Sequence, residues 1–340
     1  MKSRNSSIDL LRFLAASIVA FSHMIIFYQG INLNIEIISS ISVEIFFIIS
    51  GFVLAPQIIN LIKKNNFYNY KIFLIRRWYR TIPIFILSLI LTSILLDKLF
   101  TFDFLKYAFF IQNFLYISVN QDYFSIAWSL SVEEWFYIIF PLFLIISSRI
   151  NNKKNILILS LIFILLILIL RIMLINDQEW GNGVRRIVLF RLDAIAYGFL
   201  LFHLIDKINI NKIINIILIA TLIFTIFLFH IMKINATQGV NFYEIFFHYV
   251  VAIWGSLIVI IFYFLEGLIK NLKIIELNLF LGKISYSIYL FHLPIIYLIS
   301  IFEWPLVLAI LIYIFLQFSF SSLIYIYFEE PILKSRPNYR

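Results

Sequence analysis

The sequence predicts an all-α, polytopic integral membrane helical bundle of about ten transmembrane helices, with both termini in the cytoplasm. Three observations carry this reading. Of 340 residues, 63% are hydrophobic and 13% charged, more apolar material than one soluble core can hide. The apolar residues fall in runs of about 20, the length that crosses a bilayer. Lysine and arginine are divided unevenly between alternate connections, as expected where basic residues resist translocation.

The runs place spans at 8–28, 39–61, 78–96, 131–147, 156–175, 187–205, 213–232, 245–265, 283–301 and 305–328. The first is too long for the apolar core of a signal peptide and holds Arg12 and His23, so it reads as a retained helix. Phe104 to Ile117 is shorter and carries Lys106, Gln112 and Asn113; it is expected to lie at the interface or re-enter. Ten spans consume about 200 residues. Residues 1–340 are therefore expected to form a single transmembrane domain without a fused soluble one. The connections assigned to the cytoplasm hold 19 lysines and arginines. The opposite set holds five: Lys98, Lys106, Arg185, Arg186 and Lys233.

Composition also excludes several functions. The net charge of +9 is spread between apolar runs and forms no basic aromatic patch, so no nucleic-acid partner is expected. With no cysteine there are no disulfides, thiolate zinc sites or cysteine acyl-enzymes. No His, Asp and Glu spacing suits a metal, and none is predicted.

Ionisable groups inside spans mark functional sites, because burying them is expensive. Arg12 and His23 are eleven residues apart, three helical turns plus roughly 20°, so they share one face about 16 Å apart. Snorkelling of Arg12 and hydrogen-bonded packing of His23 are the structural alternative. Arg76, Arg77 and Arg80 open the third span, where guanidinium forks suit phosphate, although positive flanks also serve topology. Trp128 to Glu134 opens the fourth. There Ser131 and Glu134 match a Ser-x-x-Glu capping box, which leaves Glu133 as the candidate functional carboxylate. Glu44 and the Arg191/Asp193 pair raise the same choice between site and structural ion pair. Ser285, Tyr289 and His292 lie on one helix face, as a cavity lining or as interhelical glue. His203, His230 and His248 read as packing or interface residues.

Taken together, these motifs resemble the membrane-bound acyltransferase 3 family along nearly the whole chain. The resemblance begins with Ile8-Asp9-Leu10-Leu11-Arg12 and the arginine, ten residues, histidine signature at Arg12 and His23. It continues through Val43 to Phe52, the basic run ending at Arg80 with Pro83 beyond, Trp128 to Glu134 with Phe136, Tyr137 and Pro141, and Arg191-x-Asp193 with Gly198. It closes with Leu281 to His292 and Glu330-Pro331. Leu10 and Phe13 stand where glycines are common, Ser42 where Gly is frequent, Glu44 for the usual Asp and Trp135 for a frequent Gln. These departures change pocket shape and remove no charged group.

The resemblance implies a bacterial, multi-pass enzyme of the inner membrane. Its donor would be cytosolic acyl-CoA, acetyl-CoA by default, and its acceptor a hydroxyl of a surface glycan or a lipid-linked sugar. His23 is then the expected general base, with Arg12 binding the donor and Glu133 orienting the histidine. Arg76, Arg77 and Arg80 would take the donor's phosphates. Glu44, Ser129, Arg191, Asp193, Tyr289 and His292 would be substrate-binding or structural polar residues, and membrane lipids the surroundings. The rival function is a flippase or exporter of a lipid-linked or polymeric sugar using the same polar stripes, although no internal repeat is visible.

Overall fold

The computed structural model describes residues 4–64, 66–119, 122–150, 155–174, 183–208, 210–235 and 241–338, and every regular element among them is helical. Lys2, Lys153, Lys154 and Arg340, counted above for topology, lie outside the described residues, as do the side chains of Arg149, Lys212, His230 and Lys233.

Helix ends follow local chemistry. The first helix, α1 (Ser6–Gln29), opens at Asn5, whose side chain accepts from the Ile8 amide, and closes at Gly30, which takes a φ of 86° open to a residue without Cβ. Then come α2 (Leu33–Lys64), α3 (Phe67–Leu95) with Asn66 as its cap, and the short α4 (Phe102–Ala108) capped by Thr101. The chain continues through α5 (Ala127–Ile150), α6 (Ile156–Leu174), α7 (Val188–Arg191) and α8 (Asp193–Ile205). It finishes with α9 (Ile210–Asn235), α10 (Asn241–Leu265), α11 (Leu272–Ser300), α12 (Leu306–Ile324) and α13 (Glu330–Lys334).

Among the described residues, nine helices are long and apolar enough to cross a membrane, and this is a multi-pass membrane protein. The predicted span 213–232 falls on α9, which carries a shorter apolar stretch, Ile214–Phe227. The segment 104–117 holds no helix long enough to cross. It folds as α4 and the turns after it, and the amides of Val188 and Leu189 donate to the carbonyls of Asn113 and Phe114 at 2.9 and 3.2 Å.

α1 packs chiefly on α11 and α2, and α2 on α8. The α2–α8 crossing is backbone on backbone: a Cβ on Gly51 or Gly198 would lie 1.9 Å from the carbonyl oxygen of Ile195 or Ile48. Small residues let membrane helices approach in this way, since lipid provides no hydrophobic drive for their association. Where α11 passes α1, a Cβ on Gly282 would meet Asp9, whose carboxylate is paired with Arg4 at 2.5 Å.

Three expectations need correction. Helix α5 begins at Ala127, so Ser131 and Glu134 lie inside it and form no capping box; Ser131 Oγ donates to the Ala127 carbonyl and accepts from Gln112 Nε2 at 2.6 Å. Arg191 and Asp193 are not a pair. Residues two apart on a helix point to different sides, and here Arg191 binds Glu44 while Asp193 binds Arg171 at 2.9 Å. His248 is no isolated packing residue either: its Nδ1 lies 3.2 Å from Glu44. All five groups are buried, and together they tie α2, α6, α7, α8 and α10. His203 Nδ1 lies 3.1 Å from the Phe199 carbonyl one turn earlier in α8.

Candidate functional site

The 3.6-residue period of α1 turns Arg12 and His23 inward, and neighbouring helices supply what each meets. His23 Nδ1 lies 2.7 Å from His292 Nε2 on α11. The ring centroids are 5.0 Å apart and the planes differ by 14°. That separation is one hydrogen bond plus two ring radii, so the imidazoles meet edge to edge in nearly one plane. His292 Nδ1 in turn lies 2.7 Å from the Tyr289 carbonyl oxygen.

This chain fixes the protons. A carbonyl only accepts, so His292 donates from Nδ1 and, as a neutral ring, accepts at Nε2. His23 must then donate from Nδ1, which leaves the lone pair of its Nε2 uncommitted.

His23 borders a cavity of about 190 Å³, lined also by Glu36, Val43, Trp128, Arg185, Arg186 and Tyr289. Arg185 binds Glu36 at 2.7 Å and stands 5.9 Å from the Trp128 ring; Arg186 binds Asp122 at 2.6 Å. Burial, with the adjacent charge of Arg186, brings the Arg185 guanidinium down to about 10.

A second cavity of about 40 Å³ is lined by Ser50, Ser129, Glu133 and Tyr286 and shares Val43 and Tyr289 with the first. At the boundary the Ser129 and Tyr289 hydroxyls are 2.6 Å apart. Glu133 accepts from Ser50 Oγ at 3.2 Å and from the Tyr137 hydroxyl. The expectation that Glu133 orients His23 is therefore not met, because His292 holds that position.

At the opposite end of α1, Arg12 lies within electrostatic reach of Asp9, Arg80 and Glu133. Glu329, held by Ser287 Oγ at 3.2 Å, lies within electrostatic reach of both Arg12 and Arg80. The predicted arginine cluster divides. Arg80 lies within electrostatic reach of Arg12, whereas Arg76 donates to the Pro337 carbonyl and buried Arg77 donates to Gln57 Oε1 at 2.5 Å. One residue is a 100° turn of the helix, enough to send Arg77 into the bundle.

Sequence reasoning missed Glu36, Arg185, Arg186 and Glu329 as site residues. A signal existed for two of them: Arg185 and Arg186 stand together in the set of connections poorest in basic residues. Among the described residues no cluster of three or more His, Asp or Glu side chains is arranged to hold a metal ion.

Fold and site thus define a multi-pass helical membrane protein with an imidazole pair, one ring of which borders a cavity, and guanidinium groups towards both ends of α1. Residues 5–326 match the family described as acyltransferase domain, and the chain belongs to this acyltransferase 3 family. It is similar to O-acetyltransferase OatA of Staphylococcus aureus strain NCTC 8325 / PS 47, with 27% identity over 89% of this chain and 54% of the relative. It is similar also to peptidoglycan O-acetyltransferase OatA of Listeria monocytogenes serovar 1/2a, at 25% identity over 97% of this chain and 56% of the relative. An uncharacterized protein of Haemophilus influenzae is 35% identical over 37% of the chain and 58% of that protein. The chain spans about half the length of the curated relatives it matches. No solved structure matches.

Proposed function

We propose that this protein is an O-acetyltransferase of the bacterial cytoplasmic membrane. It moves an acetyl group from acetyl-CoA on the cytoplasmic side to a hydroxyl of a cell-surface glycan or its lipid-linked precursor. The observation that carries the reading is the chain from His23 through His292 to the Tyr289 carbonyl, which leaves Nε2 uncommitted on a histidine that borders a cavity. Family membership supports acyl transfer, and the names of the relatives support acetyl as the group and a glycan as the acceptor.

In this reading His23 Nε2 takes the proton of the acceptor hydroxyl while its oxygen bonds to the thioester carbonyl carbon. The carbon–sulfur bond then breaks and the sulfur receives the proton from His23, giving the ester and the free thiol. Imidazole suits the task because its ordinary pKa lies near neutrality. Arg12 stays protonated and acts by charge and hydrogen bonds. With Arg80 it forms the inner subsite for the donor's phosphates, flanked by Arg76 and Arg77. The acyl arm reaches His23 past Glu133, Ser129 and Tyr289, where the two cavities adjoin. Glu44, Arg191 and Asp193 hold the surrounding helices in place.

The test uses purified protein in lipid nanodiscs with acetyl-labelled CoA and isolated wall glycan. Label should appear as a glycan ester with one thiol released per ester. If reconstituted vesicles instead move the sugar across the bilayer with no label incorporated, the protein is an exporter.

A further inference from the structure

The cavity at His23 has a composition that bears on what it accepts. Its lining holds two guanidinium groups, Arg185 and Arg186, against one carboxylate, Glu36. Asp122, the ion-pair partner of Arg186, is not part of that lining. Arg186 Nε is buried and makes no hydrogen bond among the described residues, so one donor of the fork is unused. Neighbouring like charges repel, and an anion between them relieves that cost. Basic residues are scarce in the connections on this side, so two adjacent arginines there serve no topological purpose. Trp128 offers an apolar ring in the same wall.

We propose that the His23 cavity is an acceptor subsite for an anionic sugar, whose carboxylate or phosphate is held by Arg185 and Arg186 while the sugar ring lies against Trp128 and its hydroxyl reaches His23. The planar forks of arginine match both anions bidentately. The proposal rests on the acyl-transfer reading for its use, and its test is a binding measurement that needs no turnover.

Equilibrium binding to the full chain in nanodiscs, without donor, is measured for methyl glucuronide, glucose 6-phosphate and methyl glucoside. The acidic sugars should bind at least about tenfold more tightly than the neutral one, the worth of one charge-assisted hydrogen bond. The stronger of the two acids identifies the anion. Arg186→Gln should abolish the preference, and Arg186→Lys should keep part of it; thermal unfolding of each variant confirms that it is folded. Equal binding of all three sugars, or a preference that survives Arg186→Gln, overturns the subsite. If the preference is present but no acetyl is ever transferred, the subsite stands and the acyl-transfer reading fails. If acetyl is transferred to neutral and acidic sugars alike, the reading stands and the subsite falls.

Discussion

His23 Nδ1 and His292 Nε2 are 2.7 Å apart, joined across α1 and α11 although 269 residues separate them in the chain. The second histidine does for the first what a buried acceptor does in other base-assisted sites: it fixes tautomer and ring orientation without touching substrate. His292 is a positioning residue in this account.

His292→Ala should lower kcat by about 10²-fold with little change in the apparent KM for acetyl-CoA, because general-base assistance weakens while donor contacts remain. His292→Gln keeps an acceptor for His23 Nδ1 and should recover part of the loss. Steady-state kinetics on both variants checks this. An equal loss in both variants would point to packing alone.

Arg12→Lys retains charge but loses the guanidinium fork. The apparent KM for acetyl-CoA should rise, by about tenfold for one lost charge-assisted hydrogen bond, with smaller effects on acceptor use. Arg80→Gln should act in the same direction. Measuring KM for donor and acceptor separately distinguishes donor binding from a general defect.

Tyr289→Phe removes the 2.6 Å bond to Ser129 at the boundary between the two cavities. With that contact gone, thiol release from acetyl-CoA in the absence of glycan should increase relative to acetyl transfer. A thiol-reactive dye in the purified system reports it directly. An unchanged ratio would show that the hydroxyl pair does not limit passage between the cavities.

Glu44→Ala leaves the buried Arg191 without its carboxylate. Breaking a buried pair from one side costs about 3 kcal/mol or more, so the thermal midpoint in detergent should fall clearly. Removing both partners should cost less than either single change suggests, as a double-mutant cycle would record. A Gly198→Ala variant should also lose stability, since its Cβ would meet the Ile48 carbonyl at 1.9 Å.

Among the described residues, nine of the ten expected spans fall on helices long and apolar enough to cross, because length and hydropathy suffice for them; 213–232 falls on α9, whose apolar stretch Ile214–Phe227 is shorter. The shared face of Arg12 and His23 was readable in the sequence too, since it depends only on the helical period. What crosses between helices was not. The His23–His292 bond and the Arg171–Asp193 and Arg191–Glu44 pairs depend on which helices are neighbours, and no single-chain period encodes that. The capping-box reading of Ser131 and Glu134 failed because apolar counting sets the start of α5 too late: Ala127 to Leu130 is already helical. Arg185 and Arg186 were visible as topology exceptions, but only the cavity gives them a chemical setting.

The central claim is that the open nitrogen of His23 takes the hydroxyl proton. The most direct measurement is glycan acetylation by His23→Ala against the unmodified chain, both in nanodiscs and matched for folded protein and acetyl-CoA binding. The account predicts loss of transfer by about 10²-fold or more with donor binding intact. Transfer at the unmodified rate would contradict it.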